Sequence, residues 1–338
     1  MIPALAVARE LRSRGHQVFF VGTEKGLESR LVPAEGFPLK RINIGGLNRV
    51  GLQQRLSTLL RLPVTTVQCL GDGPAAVFSM GGYVAGPPVM AAVLRRTPLV
   101  IMEPNAVPGF TNRIIGRFVS RALISFPETA AWFPKGRTET TGLPVREEFF
   151  RIPAKARVNV LQILVTGGSQ GSRTLNQAAR ESWPFFRSAR VPVRLVMQTG
   201  QSGYDRMRDD FAASGLEGEV LPFITDMPAA FAAADLVICR SGAGAVSELA
   251  AAGKPSILVP FPFAADDHQT RNAEAMANAG AACMLRDAEL TGDRLVSLLL
   301  EEVSAGLERM GDAARQLARP RAAARAAEIL EEEAAGRR

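Results

Sequence analysis

Short apolar runs alternate with stretches of helical periodicity along the whole chain of 338 residues. The runs contain few alternating polar positions, which is typical of strands buried on both faces of a parallel sheet. Helical stretches of about 10 to 15 residues between them predict an α/β protein with doubly wound sheets. The predicted strands are residues 17–21, 75–79, 99–102, 122–125, 161–166, 193–198, 236–239 and 256–260.

A domain boundary is predicted near residues 141–146, where a strand-like end meets Gly142 and Pro144 and the charge balance changes. Residues 1–145 would form one Rossmann-like domain and residues 146–318 a second. Ala, Arg and Glu dominate residues 319–338, and this composition predicts a final helix. Ligands of open α/β sheets bind at the carboxyl ends of the strands, so we expect a ligand in a cleft between the two domains.

The first predicted element is a helix that begins at Pro3 and runs to Gly15. Proline is well suited to the first turn of a helix. In a doubly wound sheet, however, such a helix normally follows a strand. The pattern therefore indicates that the first strand of the N-terminal domain is missing from this sequence.

Two glycine-rich turns follow predicted strands in the second half of the chain. The first spans residues 167–172, before a helix predicted from about Arg173, and the second spans residues 241–245. The first amides of a helix have no acceptor within it, and small residues let an anion approach them. Neither turn has the spacing of the dinucleotide fingerprint, so a nicotinamide enzyme is the weaker alternative. Tight turns that need glycine only for their geometry are the structural alternative.

The net charge of +7 is concentrated in the first half of the chain. Residues 1–145 carry 17 Lys and Arg against 8 Asp and Glu, whereas residues 146–338 carry 23 against 25. This imbalance indicates an anionic partner for the first domain. Aromatic residues make up only 6% of the chain and do not alternate with basic ones, which argues against nucleic acid. An anionic membrane surface is the favoured partner.

A short segment between residues 49 and 62 combines leucines with arginines and suits the headgroup layer of a membrane. Its arginines and leucines are Arg49, Leu52, Arg55, Leu56, Leu59, Leu60, Arg61 and Leu62. A helix with its leucines packed inward and its arginines solvated is the alternative. No apolar run approaches the roughly 18 residues of a membrane-spanning helix, and the three cysteines lack metal-ligand spacing. We expect a peripheral protein at the cytoplasmic face of the bacterial cell membrane.

Several short motifs occur in a fixed order along the chain. They lie at residues 3–8 (PALAVA), 80–87 (MGGYVAGP), 103–105 (EPN), 142–146 (GLPVR), 167–171 (GGSQG), 239–243 (CRSGA) and 267–269 (DHQ). In this order they resemble the MurG family of peptidoglycan N-acetylglucosaminyltransferases, and the resemblance extends to about Ala318. It implies a glycosyltransferase-B fold with a membrane-facing acceptor-binding domain, a UDP-GlcNAc-binding domain, and a tail helix that packs back toward the first domain.

The resemblance implies an inverting transfer of GlcNAc from UDP-GlcNAc to the 4-hydroxyl of MurNAc in undecaprenyl-pyrophosphoryl-MurNAc-pentapeptide, lipid I. The product would be lipid II, an intermediate of peptidoglycan biosynthesis, and a cell-wall synthesis complex would be a further partner. The departing diphosphate needs stabilisation, which amides at a helix start can supply. The chain has no Asp-x-Asp pair of the kind that metal-dependent sugar transferases use. We therefore expect no metal and no cofactor.

The resemblance also implies roles for single residues on both sides of the cleft. Ser169 would contact the donor phosphates, Arg146 would reach the donor from the linker, and Asn105 would line the cleft from the acceptor side. Each has a structural alternative. Ser169 would cap its helix, Asn105 would be a turn residue, and Arg146 would pair with Glu147 or Glu148.

The remaining implied contacts lie in the second domain. The backbone of Ile224 would flank the uracil, Glu248 would hold ribose hydroxyls, and Gln269 would hold GlcNAc hydroxyls. The full implied set of substrate-binding residues is Asn105, Arg146, Ser169, Ile224, Ala243, Gly244, Ala245, Val246, Ser247, Glu248 and Gln269.

The chain departs from the family pattern at two positions. The histidine that the family places three residues before the proline matched by Pro3 would stand immediately before Met1, so the catalytic base is left unassigned. If Met1 is the true start, we expect donor binding with greatly reduced transfer. Ala245 stands where the family commonly has threonine. Its amide is retained, and loss of one hydroxyl hydrogen bond would weaken diphosphate binding by about 0.5 to 1.5 kcal/mol.

Two other classes of function fit the same pattern. One is a protein that binds a sugar nucleotide or a membrane without turnover. The other is a UDP-sugar epimerase, or another glycosyltransferase, of the same fold. An epimerase would isomerise UDP-GlcNAc in the absence of any acceptor, whereas a lipid II-forming enzyme would not.

Overall fold

The computed structural model describes residues 1–24, 26–42, 66, 73–155 and 159–336. The chain forms two compact units, one comprising Met1–Pro144 with Arg321–Arg338 and the other Val145–Pro320. The first unit is therefore built from both ends of the chain. The leucine- and arginine-bearing segment of residues 49–62 lies outside the described residues.

The described strands and helices alternate along the chain. The strands are β1 (Phe20–Gly22), β2 (Leu39–Arg41), β3 (Val77–Ser79), β4 (Leu99–Glu103), β5 (Arg121–Ile124), β6 (Thr138–Thr140), β7 (Leu161–Thr166), β8 (Val193–Gln198), β9 (Glu217–Leu221), β10 (Leu236–Cys239), β11 (Ser256–Leu258) and β12 (Ala282–Met284). The helices are α1 (Ile2–Ser13), α2 (Glu28–Ala34), α3 (Gly86–Leu94), α4 (Phe110–Ile115), α5 (Glu147–Phe150), α6 (Arg173–Ala189), α7 (Tyr204–Ser214), α8 (Met227–Ala233), α9 (Ala243–Ala252), α10 (His268–Asn278), α11 (Gly292–Ser297), α12 (Leu307–Gln316) and α13 (Ala322–Ala335).

The first unit contains a parallel sheet in the order β3-β4-β5-β6 and a separate parallel pair, β1 and β2. Strand β4 is buried at all five positions because it lies inside the sheet and is covered on both faces. Its residues Leu99 and Ile101 pack with Ile115, Val119 and Ile124 in the core of this unit. The predicted strands at 99–102 and 122–125 are confirmed to within one residue at each end. Strands β1 and β3 begin three and two residues later than predicted, and strands β2 and β6 were not predicted.

Helix α13 belongs to the first unit, although it follows the second unit in sequence. It buries an alanine-rich face with Ile329 and Leu330 and packs against α1. Its charged face forms ion pairs with the same unit, including Arg14 with Glu331 (Nη1–Oε2, 2.8 Å) and Arg325 with Glu139 (Nε–Oε1, 2.6 Å). Ion pairs therefore join the predicted final helix to the rest of the first unit.

The second unit contains a six-stranded parallel sheet in the order β12-β11-β10-β7-β8-β9. Strands β7, β8 and β10 have the predicted bounds, and β11 ends two residues earlier than predicted. Strands β9 and β12, which the sequence pattern missed, lie at the two edges of the sheet. Both units are Rossmann-like α/β domains with parallel sheets, so the predicted fold class is confirmed.

Candidate functional site

The two glycine-rich turns lie side by side at the carboxyl ends of two central strands of the second unit's sheet. Strands β7 and β10 are hydrogen-bonded neighbours, and Thr166 at the end of β7 pairs in register with Cys239 at the end of β10. Parallel strands bring their carboxyl ends to the same edge, where open α/β sheets bind ligands. The two glycine-rich turns are therefore adjacent.

In the first turn, Ser172 rather than Ser169 caps the following helix. The Ser172 hydroxyl accepts a hydrogen bond from the amide of Leu175 (3.4 Å), and α6 begins at Arg173 as predicted. Ser169 lies exposed three residues earlier. The structural alternative for Ser169 is therefore wrong, and its hydroxyl lies in a solvent-facing turn beside a helix start.

Some glycines of the first turn are required by the fold itself. Gly171 has a positive φ of 74°, and a Cβ atom there would overlap the carbonyl of Thr199. A Cβ atom at Gly167 would overlap the backbone of Ser172. The structural explanation of glycine thus holds at these two positions. Gly168 has a positive φ of 83°, which also favours glycine, but nothing lies within 4 Å of a Cβ built there, so it borders open space.

The second turn presents helix amides that have no acceptor within their own helix. Helix α9 begins at Ala243, and the first amide bonded to the turn carbonyl is that of Val246, which donates to Gly242 (3.0 Å). The preceding amides of Ala243, Gly244 and Ala245 occupy the first turn, where a helix offers them no acceptor. A Cβ atom built at Gly244 meets nothing within 4 Å, so an anion has room to approach. Val246 itself is buried in the core.

Glu248 follows on α9, with Ser247 before it, and is partly buried. Burial raises the pKa of its carboxyl group to about 7, and the charge of Arg146 opposes the rise. Burial, with the nearby Glu248 charge, raises the pKa of the Cys239 thiol to about 12. Near neutral pH Glu248 is present in both protonation states. Its carboxyl group can therefore accept hydrogen bonds from hydroxyls, and in the protonated form it can also donate one to a hydroxyl.

Arg146 precedes α5 and is exposed, with its guanidinium carbon 5.0 Å from the centre of the Phe149 ring. Its alternative partner Glu147 pairs with Arg151 instead (Oε2–Nη2, 2.6 Å). Arg146 also lines a pocket of about 670 Å³ together with Thr225 and other residues of the second unit.

Gln269 connects the start of α10 to the second glycine-rich turn. Its backbone carbonyl accepts a hydrogen bond from the Ser241 hydroxyl (2.8 Å), and its side-chain oxygen accepts one from the amide of Phe261 (3.0 Å). Ile224 is buried, and its amide donates to the side-chain oxygen of Gln198 (2.8 Å). Ile224 thus lies in the turn after β9, and Gln269 lies in the first turn of α10 next to the second glycine-rich turn.

Arg240 is a residue whose role the sequence did not reveal. Its Nη1 atom donates to Asp287 (2.5 Å), and its Nη2 atom donates to the hydroxyls of Ser172 (2.7 Å) and Thr174 (2.6 Å). The guanidinium thereby joins the end of β10 to the start of α6 and to the segment after β12. The sequence signal that could have indicated this role is the position of a charged residue directly between an apolar strand and a glycine-rich turn.

Asn105 lies in the first unit, apart from these residues in the chain. Its backbone amide and its side-chain nitrogen both donate to Oε1 of Glu103 (3.0 and 3.1 Å). Glu103 is 1% exposed and also accepts from the amide of Gly109 and the side chain of Asn112. Asn105 is therefore a member of a half-buried hydrogen-bonded turn, as its structural alternative predicted.

At the carboxyl ends of the second unit's strands lie the first amides of α9, the exposed Ser169, the titratable carboxyl group of Glu248, and Gln269. Amides at a helix start bind diphosphate, while Glu248 and Gln269 supply polar groups for hydroxyls. Within the described part of the chain, no group of three or more His, Cys, Asp or Glu residues is arranged so that it could hold a metal ion. The arrangement suits a sugar diphosphate ester.

The glycosyltransferase family 28 C-terminal domain matches residues 162–330, and the N-terminal domain of that family matches residues 1–124. The UDP-N-acetylglucosamine–N-acetylmuramyl-(pentapeptide) pyrophosphoryl-undecaprenol N-acetylglucosamine transferase of Solibacter usitatus is 70% identical over 335 residues, covering 98% of this chain and 92% of that protein. The protein of the same name from Myxococcus xanthus is 40% identical and covers 97% and 88%.

Solved structures agree with these similarities. The crystal structure of Acinetobacter baumannii MurG has a TM-score of 0.82 and 33% identity, covering 98% of this chain and 95% of that chain. A UDP-GlcNAc 2-epimerase from Neisseria meningitidis has a TM-score of 0.65 at 13% identity, which is a likeness of fold alone. The expected glycosyltransferase-B fold is confirmed, and the chain belongs to the MurG family of family 28 glycosyltransferases.

Proposed function

We propose that this protein is an inverting hexosyltransferase that transfers GlcNAc from UDP-GlcNAc to lipid I and forms lipid II. The observation that carries the proposal is the 70% identity to the Solibacter usitatus transferase over 98% of the chain. Formation of lipid II is a step of peptidoglycan biosynthesis, and cell-wall biogenesis, cell shape and cell division depend on it. The epimerase alternative rests on a likeness of fold alone and is not favoured.

The donor would bind to the second unit. The amides of Ala243, Gly244 and Ala245, with the exposed Ser169 hydroxyl, would hold the diphosphate, and Arg146 would add a positive charge. The Ile224 turn would flank the uracil, Glu248 would bind ribose hydroxyls and Gln269 the sugar. The first unit would bind the acceptor. These assignments are supported by the adjacent turns and by the room in front of Gly244.

The chemistry follows from where charge develops. As the anomeric bond to UDP breaks, negative charge accumulates on the departing diphosphate. Helix amides that point at this charge stabilise it more strongly in the transition state than in the ground state. The dipole of α9 acts in the same sense, because its positive end lies at Ala243.

A membrane-facing surface is proposed for the first unit. Residues 110, 113, 114, 117 and 118 follow helical spacing and lie on one side of α4 and the turn after it. Three of them are exposed apolar residues, Phe110 (63%), Ile114 (44%) and Phe118 (53%). The guanidinium of Arg113 lies over exposed Trp132 (5.6 Å), and that of Arg117 lies beside Phe118 (5.9 Å). We define these six residues as the aromatic patch.

Apolar rings beside arginines suit the interface of an anionic bilayer, where rings enter the headgroup region and guanidinium groups meet lipid phosphates. A peripheral position at the cytoplasmic face of the cell membrane would bring the first unit to its lipid-linked acceptor. Among the described helices, none is both long and apolar enough to cross a bilayer. A cell-wall synthesis complex would assemble at the same surface.

The decisive experiment incubates the purified full-length protein with labelled UDP-GlcNAc and a lipid I analogue. The expected result is release of UDP with label in a lipid II product, and no product without acceptor. Appearance of UDP-ManNAc from UDP-GlcNAc alone would instead indicate an epimerase. Saturable UDP-GlcNAc binding without any turnover would indicate a non-catalytic binding protein.

A further inference from the structure

Gln198 is the last residue of β8, and β8 lies between β7 and β9 in the sheet. The turn after β7 carries Gly168 and Ser169, and the turn after β9 carries Ile224. We refer to residues 167–172 as the phosphate-side turn and to residues 222–226 as the base-side turn. Gln198 thus lies on the strand between the two strands that lead to these turns, and the proposed function assigns the turns to opposite ends of one nucleotide.

Both ends of the Gln198 amide are bonded, and each end is bonded to a different turn. Its nitrogen donates to the carbonyl of Gly168 (2.8 Å) and to the Thr166 hydroxyl (3.3 Å). Its oxygen accepts from the amide of Ile224 (2.8 Å). The residue is 2% exposed, so water does not compete for these bonds.

The backbone after Gln198 is packed as tightly as the side chain. The Thr199 amide donates to the carbonyl of Leu221 (3.0 Å), and the Thr199 carbonyl accepts from the side chain of Asn176 (2.9 Å). A Cβ atom at Gly200 would overlap the carbonyl of Gln170. The backbone after β8 therefore contacts the phosphate-side turn and the end of β9, with little room for adjustment.

We propose that Gln198 is a positioning residue that sets the spacing between the phosphate-side and base-side turns. This inference rests on the proposed function, because it names a uridine diphosphate ester as the ligand that spans both turns. With the spacing preset, a spanning ligand meets both turns without ordering either. Without the Gln198 amide, each turn must be ordered by the part of the ligand that it contacts. A ligand that contacts one turn then loses little affinity, and one that contacts both loses more.

The test compares ligands of different length on the full chain by calorimetry. The variant is Gln198→Met, which keeps the length of the side chain and removes its hydrogen bonds. We expect uridine and pyrophosphate each to bind less than about threefold more weakly, and UDP and UDP-GlcNAc at least about tenfold more weakly. The matched control is Gln177→Met on α6, where an exposed glutamine bonds only to Glu181 in the described structure (2.8 Å). All its affinities should stay within about twofold of wild type.

A second variant, Gln198→Asn, keeps the amide and shortens its reach, so that it can no longer bond both turns. It should give the same dependence on ligand length even if Gln198→Met fails to fold. Equal losses for uridine and UDP, or no loss for UDP, would overturn the positioning role while leaving the proposed function intact. Absence of UDP binding by the wild-type protein would overturn the proposed function itself.

Discussion

Thr166 and Cys239, the last residues of β7 and β10, pair directly across the sheet of the second unit. Because the pair is in register, the two glycine-rich turns leave the sheet at the same level. The first turn exposes Ser169, and the second exposes the initial amides of α9. A ligand with a diphosphate can therefore contact both turns at once.

Gly244 provides a test of the anion site in which stability and binding should change in opposite directions. Its position inside α9 has open space in front of it, so Gly244→Ala should fold and gain about 0.5 to 1 kcal/mol in free energy of unfolding. The added methyl group would occupy the approach to the amides and raise the dissociation constant for UDP-GlcNAc. Urea unfolding and calorimetry measure the two effects.

Gly109→Ala is the matched control for this substitution. Gly109 also has nothing within 4 Å of a built Cβ, but it lies in the first unit. Its UDP-GlcNAc affinity should match that of wild type. If Gly244→Ala bound the donor as tightly as this control, the amides of α9 would not be the diphosphate site.

Glu248 should make stability depend on pH in the neutral range. Its pKa is raised from 4.5 in an exposed chain to about 7 in the folded protein, chiefly by burial. The folded state then holds the proton more tightly, so this stabilisation is complete below pH 4.5 and lost as pH rises through about 7. Over this window wild type should lose up to about 3 kcal/mol relative to Glu248→Gln.

Urea unfolding of both proteins at several pH values between 4.5 and 8 measures this difference. The glutamine variant keeps the size and polarity of the side chain and removes its titration. The two unfolding free energies should therefore diverge with rising pH. Parallel curves would show that Glu248 titrates at its ordinary pKa and is not desolvated.

The ion pair between Arg240 and Asp287 should couple strongly, because the two side chains are only 12% and 14% exposed. Little water screens the pair, and Arg240 also bonds Ser172 and Thr174. A double-mutant cycle with Arg240→Met and Asp287→Asn should give at least about 1 kcal/mol of coupling in the free energy of unfolding.

The pair between Arg151 and Glu147 is the control, with side chains 73% and 80% exposed. The same cycle there should give no more than about 0.5 kcal/mol, since solvent screens both charges. Equal coupling at the two sites would mean that the Arg240 network adds nothing beyond an ordinary surface pair.

The aromatic patch should determine binding to anionic vesicles. Replacing Phe110, Ile114 and Phe118 by serine removes its apolar part and leaves both arginines in place. Flotation with vesicles containing phosphatidylglycerol should recover much less of this variant than of wild type. Phe185→Ser, which alters an exposed phenylalanine of the second unit, should float like wild type.

The dependence of vesicle binding on salt distinguishes the apolar contribution of the aromatic patch from the electrostatic contribution of its arginines. Raising the ionic strength screens the arginine–lipid attraction, so binding of the wild-type protein to anionic vesicles should weaken. Neutral vesicles lack this attraction, so they should bind little of the protein. A triple variant that floated as well as wild type at low salt would place the membrane contact elsewhere in the chain.

Sequence patterning predicted the central strands of the second unit well. Strands β7, β8 and β10 are apolar runs because both faces are covered, and their predicted bounds agree with the structure. Strand β9 was missed because it lies at a sheet edge, where its first three residues, Glu217, Gly218 and Glu219, are exposed. Edge positions do not require the apolar residues by which a buried strand is recognised.

The same distinction applies to the candidate site. The glycine-rich turns and the helix starts after Ser172 and Gly242 were predictable, because local steric demands and unpaired amides belong to short stretches of chain. Gln198 and Arg240 were not, since each acts on residues that are distant in sequence. Gln198 bonds Gly168 and Ile224 only because the sheet places β8 between β7 and β9.

The amino-acid sequence by itself determined the class of fold, the positions of the buried strands, the glycine-rich turns and the family, since these depend on local periodicity and on ordered motifs. Tertiary structure alone decided which turns are neighbours, which carboxyl group is desolvated and which polar side chains join the turns. Strand order and burial arise from packing between segments far apart in the chain, and no local pattern encodes them.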